Sequence, residues 1–319
     1  MTDLSVIMPI YNGAATLSRT LQSLGNGAGL EIIAVDQAST DDSRAILRQY
    51  SSKLPITILE APTGSNWMAN TNLGLAAATA PYATMLHQDD FWHKDRKAHI
   101  DRMIAAQPKA ELWLHPADYV DEHDRRIGRL GPQFGRHDRL VSASEAFSKL
   151  AVQNTIPIPS AIFRTASAVA IGGLDETLWY TADWDFWLKL AARGPVAWSP
   201  APMAAFRIHA GSQTVSGSRD ISDFAAQLEL PVLRHFGDQP RLARLARASN
   251  AVNVWLAARY HKTPLPLWPL ITEILSLGPT GVIRLLRDSR ILARLMPRLR
   301  LTNTSVRQAR LSAHKTATG

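Results

Sequence analysis

Two neighbouring carboxylates at the end of an apolar run are the residues of this chain best suited to chemistry. Tyr82 to Leu86 (YATML) reads as a short buried strand, and it ends abruptly in His87-Gln88-Asp89-Asp90. Adjacent carboxylates at a strand's C-terminal edge ionise together cheaply only with a cation between them. Hard oxygen ligands of this kind suit Mg2+ or Mn2+ carrying a diphosphate. A polar turn that merely closes the strand is the competing reading. Asp118, Asp121, Glu122 and Asp124 form a second acidic cluster, and there a solvated hairpin tip outweighs a metal loop. Asp183 opens the helical stretch Asp183 to Ala192 (DWDFWLKLAA), where an aspartate by itself reads as an N-cap.

The elements that must position these groups alternate along the first half of the chain. Leu4 to Ile10, Leu30 to Val35, Ile56 to Leu59 and Tyr82 to Leu86 read as strands. Between them, Ala14 to Leu24, Ser43 to Tyr50 and Asn66 to Ala78 carry helical spacing. Such βα alternation predicts an α/β fold with a parallel sheet flanked by helices. Ligands then bind past the carboxyl ends of the strands. Polar residues collect at three of those ends: Tyr11-Asn12, Asp36-Gln37 and His87 to Asp90. A dinucleotide-binding turn would need GxGxxG after the first strand, and only Gly13 stands there. No P-loop lysine motif occurs either.

Composition bounds the rest. The chain has 319 residues, 46% of them hydrophobic and 19% charged, which belongs to a folded globular protein. It contains no cysteine, which excludes disulfides and thiolate chemistry and fits a reducing cytosol. Its N-terminus runs straight into a strand, so no signal peptide is expected. The formal charge of +8 is local, since Arg284 to Gly319 holds nine Lys/Arg against Asp288 alone. The body is neutral, which argues against nucleic acid as a partner and for a basic C-terminal appendage.

Taken together, SVIMPIYNGAATLSRTLQSL, EIIAVDQASTDDS, NTNLGLAAATAPYATMLHQDD, GGLDETLWYTADWDFWLKL and FRIHAGS resemble the inverting family 2 glycosyltransferases of the GT-A fold. The likeness spans roughly residues 4 to 215. It implies a GT-A type, Rossmann-like, mostly parallel sheet in a catalytic domain of residues 1–217. Residues 1–92 form its nucleotide-binding half and 93–217 its acceptor half, ahead of a helical extension over 218–319. It implies a nucleoside-diphosphate sugar donor, a divalent ion (Mg2+ or Mn2+) and a saccharide or lipid-linked acceptor hydroxyl. By the same resemblance Pro9, Tyr11, Asp36, Gln37, Ser39, Asn72 and Asp89 lie on the donor side. Asp89, Asp90 and His209 hold the metal, and Asp183 is the general base, with Asp185 the runner-up.

The chain departs from the family pattern at three places. Gln37 replaces a common aspartate, and its amide oxygen can accept from N3–H of uracil or thymine, which weakly favours UDP or dTDP. His87 and Gln88 replace the first part of the acidic cluster, and Thr71 replaces a common arginine before Asn72. These leave two competitors: a catalytically idle sugar-nucleotide binder, and a metal-dependent hydrolase or phosphoryl-transfer enzyme.

Trp179, Tyr180, Trp184 and Trp187 crowd the segment around Asp183. Trp179 and Trp184 are candidates for an acceptor sugar platform, with core packing as the alternative. The charged, glycine-containing stretch from Arg125 to Asp138 reads as an irregular loop over the site. Further on, Ser222 to Phe236 and Pro240 to Tyr260 read as helices. Pro264 to Ile283 is apolar with four prolines, and Gly281 to Leu299 is a basic amphipathic helix. Residues 264–300 are thus expected to meet an anionic membrane surface, placing the protein in the cytoplasm on the inner face of the cell membrane.

Overall fold

The computed structural model describes residues 3–208 and 217–295. Its first half is a run of βα units. Strand β1 (Leu4–Ile10) pairs in parallel with β2 (Leu30–Asp36) and with β4 (Tyr82–Met85), and β2 pairs in parallel with β3 (Ile56–Glu60). All seven residues of β1 are buried. A central parallel strand is covered on both faces, so its sequence is a continuous apolar run and not an alternation. Helices α1 (Ala14–Gln22), α2 (Ser43–Tyr50) and α3 (Trp67–Ala77) connect these strands. Gly74 lets α3 lie close on the sheet, since a Cβ there would stand 2.6 Å from Ile7 Cγ2.

Beyond β4 the sheet becomes mixed. β10 (Ala161–Arg164) runs antiparallel to β4 and to β6 (Leu112–Leu114). β11 (Val196–Trp198) is parallel to β6, and β9 (Arg139–Val141) closes the edge antiparallel to β11. The order is β3-β2-β1-β4-β10-β6-β11-β9. A smaller sheet stands beside it in the order β5-β12-β7-β8, built from β5 (Phe91–Trp92), β12 (Ala204–Arg207), β7 (Ala117–Val120) and β8 (Arg126–Leu130). The expected loop over 125–138 is therefore in part a strand. Ile127 and Leu130 bury with Tyr119, and that apolar pair holds β8 to β7 as a hairpin.

Helices α4 (Arg96–Ala106), α5 (Ala143–Leu150), α6 (Thr165–Ala170) and α7 (Ala182–Arg193) complete this body. The C-terminal helices α8 (Ile221–Phe236) and α9 (Pro240–Tyr260) share a small apolar cluster of Phe224, Leu228 and Ala257 and also join the main core. Val232, Phe236, Leu242 and Ala246 bury in the same cluster as Trp184, Trp187 and Leu188 of α7. The stretch expected as one interfacial helix over 264–283 is two, α10 (Trp268–Leu275) and α11 (Gly278–Asp288), bent by 108°. Prolines explain the break, because Pro269 and Pro279 each sit in a first turn, where their missing N–H is tolerated. Arg290, at φ +54, interrupts the helical run expected from Gly281 to Leu299; residues 291–295 are helical again, and 296–299 lie outside the described residues. No single helix among the described residues is long and apolar enough to cross a membrane.

Candidate active site

At the carboxyl ends of β1 and β2 two short loops are zipped together by side chains. Asn12 N–H donates to Ser39 Oγ (3.0 Å), Thr40 N–H to Asn12 Oδ1 (2.8 Å) and Gly13 N–H to Ser43 Oγ (2.8 Å). Asp41 accepts from Ala14 N–H at 2.9 Å, so α1 is capped from the neighbouring loop and not by its own Gly13. Asn12 and Ala38 both take positive φ, 47° and 51°, at these strand ends. A non-glycine residue in that region persists only where its surroundings hold it, which is common at ligand sites.

Gln88 makes the third strand end part of this cradle. Its Oε1 accepts from Tyr11 N–H and its Nε2 donates to Tyr11 O, each at 2.8 Å. The amide copies a backbone ladder pair, and it fixes the main chain of Tyr11 while the ring stays 56% exposed. Tyr11 and Ser39 therefore sit on the rim.

Four other expected donor residues are buried or held by other segments. Pro9 is buried in β1 opposite Val35. Asp36 is fully buried, with Oδ2 accepting from Arg44 Nε (2.6 Å) and Ser39 N–H (3.3 Å), so it organises the loop and presents nothing to solvent. Gln37 donates to Ser65 O and accepts from Asn70 Nδ2 (3.0 Å), while Ser65 Oγ donates to Asn70 Oδ1 (2.7 Å). Each end of its amide is engaged once, which fixes the orientation of the side chain at the end of β2. Asn72 donates to Leu174 O (2.9 Å) and Glu176 Oε1 (3.0 Å) and accepts from Leu174 N–H (2.8 Å). It ties α3 to the 173–176 turn. Asn70, invisible as a site residue in the sequence, is the buried post of this network.

The acidic turn divides into two roles. Asp90 is only 2% exposed; its Oδ1 accepts from Arg207 N–H at 2.9 Å, and its Oδ2 is buried without a hydrogen-bond partner. Burial and the neighbouring Asp89 charge push its carboxyl well above the usual carboxylate range, against the pull of Arg207 and Arg96. Asp90 thus anchors the turn from inside through its bond to the Arg207 main chain. Asp89 is the carboxylate nearer the surface, on a turn whose shape comes from Arg207. That buried guanidinium donates to Asp89 O (2.9 Å), Asp121 O (2.7 Å) and Asp124 Oδ1 (2.5 Å). His87 lies edge-on to Trp67 at 5.3 Å, and burial holds its imidazole below its usual pKa and therefore neutral.

Among the described residues no three His, Asp or Glu side chains converge on a metal position. Asp118 pairs with Arg126 and Arg129 and Asp121 with Arg125, as a charged hairpin does. Divalent ions such as Mg2+ are commonly held by one or two carboxylates plus substrate phosphates. Asp89 fits that shared arrangement and no resident all-protein cage. His209 lies outside the described residues.

Asp183 lies inside the first turn of α7, whose N-cap is Thr181, so the N-cap reading fails. Its Oδ1 accepts from Trp184 N–H (2.8 Å) and its Oδ2 from Asn154 Nδ2 (2.7 Å). Burial raises its carboxyl to about 6 in spite of these donors. Asp185 faces away, fully buried among Lys189, Arg234 and His235, which leaves it no route to substrate. Trp184 is 1% exposed and donates its indole N–H to Leu150 O (2.8 Å), so it is core and cannot carry a sugar. Trp179 stays partly exposed, with its N–H on Asp223 Oδ2 at 2.9 Å. The turn before α7 is tied to α3 through Asn72, and Trp67 of α3 touches His87.

Asn154 was silent in the sequence because its partner lies 29 residues away. It donates to the charged form of Asp183 and so opposes the effect of burial. Asn154→Ala is expected to move the acid limb of the pH–rate profile up by about one unit, the worth of one hydrogen bond to a charged group. An unmoved limb would show that this contact does not govern Asp183.

Residues 5–129 match the family model described as glycosyl transferase family 2. An uncharacterized glycosyltransferase of Rickettsia prowazekii is 24% identical over 225 residues, covering 69% of this chain and 68% of the relative. An uncharacterized protein of Mycobacterium tuberculosis is 27% identical over 291 residues, 86% of each. Among solved structures, S. aureus TarS 1–349 with UDP-GlcNAc superposes with a TM-score of 0.65 at 20% identity, over 96% of this chain and 92% of that one. The mannosyltransferase PcManGT of Pyrobaculum calidifontis, solved with GDP-Man and Mn2+, gives 0.55 at 17% identity, over 91% and 85%. These two likenesses show the fold, a GT-A type α/β body. The domain match over residues 5–129 and the named relatives make the β1–β8 half similar to a glycosyl transferase family 2 domain, that of a transferase enzyme.

Proposed function

We propose that this enzyme moves a sugar from a nucleoside-diphosphate donor to a hydroxyl of a saccharide or lipid-linked acceptor, with inversion at the anomeric carbon. The observation that carries this reading is Asp183, a directed carboxylate whose pKa of about 6 leaves it mostly ionised at neutral pH yet more basic than an ordinary aspartate. A base works best with its pKa near the operating pH. In the proposed step Asp183 takes the acceptor proton as the hydroxyl oxygen bonds to the anomeric carbon. The bond to the diphosphate breaks on the opposite face, so one displacement inverts the centre.

Tyr11 and Ser39 seat the nucleoside, Gln88 holds the Tyr11 main chain, and Trp179 offers a ring face to the acceptor. A divalent ion bound through Asp89 would offset the charge developing on the leaving diphosphate. Structural neighbours solved with UDP-GlcNAc and with GDP-Man and Mn2+ support a nucleotide-sugar donor and a divalent ion. They do not choose the base.

The test is thermal-shift binding of UDP, dTDP, GDP and CMP, each with and without Mn2+. A ligand of the folded state raises the melting temperature by mass action, so no acceptor is needed. One diphosphate is expected to give a metal-dependent shift, and Asp89→Ala should remove the metal-dependent part. Absence of any nucleotide shift would sink the donor-site reading and the idle sugar-nucleotide binder with it.

A further inference from the structure

The hairpin after Tyr260 presents its side chains in the reverse of the order that suits water. α10 has no buried residue, and Trp268 and Leu275 at its ends are 70% and 67% exposed. In α11 Ile283 and Leu286 are 65% and 55% exposed, and Leu292 just beyond it is 71% exposed. Several polar side chains of this stretch turn inward. Asp288 and Ser289 are buried, Arg284 donates to Ser148 O (3.0 Å) and Oγ (2.6 Å), and Arg294 donates to Asn253 Oδ1 (2.6 Å). A helix covering a soluble protein hides its apolar stripe and exposes its charges. Large apolar side chains grouped on one surface element mark a contact surface.

We propose that this hairpin docks on an anionic bilayer, with Trp268, Leu275, Ile283, Leu286 and Leu292 at the boundary between headgroups and acyl chains. Composition favours lipid over a second protein chain. α10 and α11 together reach the length and hydropathy of a membrane segment, but their 108° bend suits a pair lying in the interface. Charge complementarity favours an anionic surface. Arg287 stands exposed on α11, and the sequence after Leu295 carries Arg298, Arg300, Arg307, Arg310 and Lys315 with no acid. Basic residues beside an apolar face are drawn to anionic headgroups and add to burial of the apolar tips. Docking would bring the enzyme to acceptors carried on lipid, but the inference itself stands apart from the transfer reaction.

The experiment is sedimentation of the full chain with vesicles of phosphatidylcholine alone and of equal parts phosphatidylcholine and phosphatidylglycerol. The wild type is expected to bind the mixed vesicles and to lose most binding at high salt. A Trp268→Ser/Leu275→Ser/Leu286→Ser variant, altered only at exposed positions, should keep its melting temperature and bind on the order of tenfold or more weakly. The proposal is overturned by a wild type that ignores both vesicles, or by a variant that binds as well as the wild type. It is equally overturned if the variant turns a wild-type dimer into a monomer while neither form binds vesicles, because the face would then join two copies of the chain.

Discussion

Asp183→Asn is expected to lower turnover by about two to four orders of magnitude, the usual range for losing a general base. Nucleoside-diphosphate affinity should stay nearly unchanged, since the residue is proposed to act on the acceptor hydroxyl. The same substitution is expected to stabilise the protein at neutral pH. Burial raises the Asp183 carboxyl from 3.8 to about 6. At 1.36 kcal/mol per unit this is of order 3 kcal/mol. A carboxylate with a raised folded-state pKa binds its proton more tightly in the native protein. Its ionisation therefore opposes folding, with no effect below about pH 4 and the full effect above about pH 6. Asparagine keeps the shape without the charge. The variant's melting temperature should match that of the wild type at pH 4 and exceed it at pH 8. Paired turnover and melting measurements across this range check both halves. Unchanged turnover would remove Asp183 from the chemistry, and an equal melting temperature at pH 8 would mean that its carboxylate is well solvated.

The second large effect is structural, at Asp185→Ala. This carboxylate is fully buried and meets Lys189 (2.8 Å), Arg234 (2.9 Å) and His235 (2.7 Å). Arg234 also reaches Asp175 at 2.8 Å, so the cluster joins α7, α8 and the turn before α7. Removing one partner of a buried pair costs about 3–5 kcal/mol, because the other charges lose their counter-ion. Lys189 and Arg234 are partly exposed and can rehydrate, which favours the lower end, about 3 kcal/mol. Burial alone would raise this carboxyl, but the hydrogen bonds from His235, Lys189 and Arg234 outweigh it and hold it well below the usual range. Its stabilisation is therefore complete above the unfolded value of about 3.9 and is lost as pH falls further. Urea denaturation should show a constant gap between wild type and variant from pH 6 to 8 that narrows below about pH 4. A gap under about 1 kcal/mol at pH 7 would class the cluster with ordinary surface pairs.

The separate fates of these two aspartates mark the limit of sequence reading. Both lie in DWDFW, and only spacing on a helix suggests that they diverge. What each meets is set elsewhere, since Asn154 lies 29 residues before Asp183 and His235 lies 50 after Asp185. The acidic turn behaves in the same way. Asp89 and Asp90 look equivalent along the chain, yet Arg207, 117 residues away in sequence, accounts for the inward turn of Asp90. Gln88 looked like a lost acid, but its bond partner Tyr11 is 77 residues back.

Local pattern by itself determined the parallel β1 to β4 units, the polar strand ends and the change to helices after residue 217. Runs of apolar residues, helical periodicity and turn residues act over a few neighbours and so leave their mark in the linear chain. Only the tertiary structure decided which polar groups reach the rim. Pro9, Asp36, Asp90 and Trp184 are buried, Gln37 and Asn72 are half-buried and held by other segments, and Ser39, Asp89 and Trp179 are half-buried while Tyr11 is exposed. The physical reason is that a buried polar atom must find a partner, and the partner is supplied by whichever distant segment the fold brings into hydrogen-bond range.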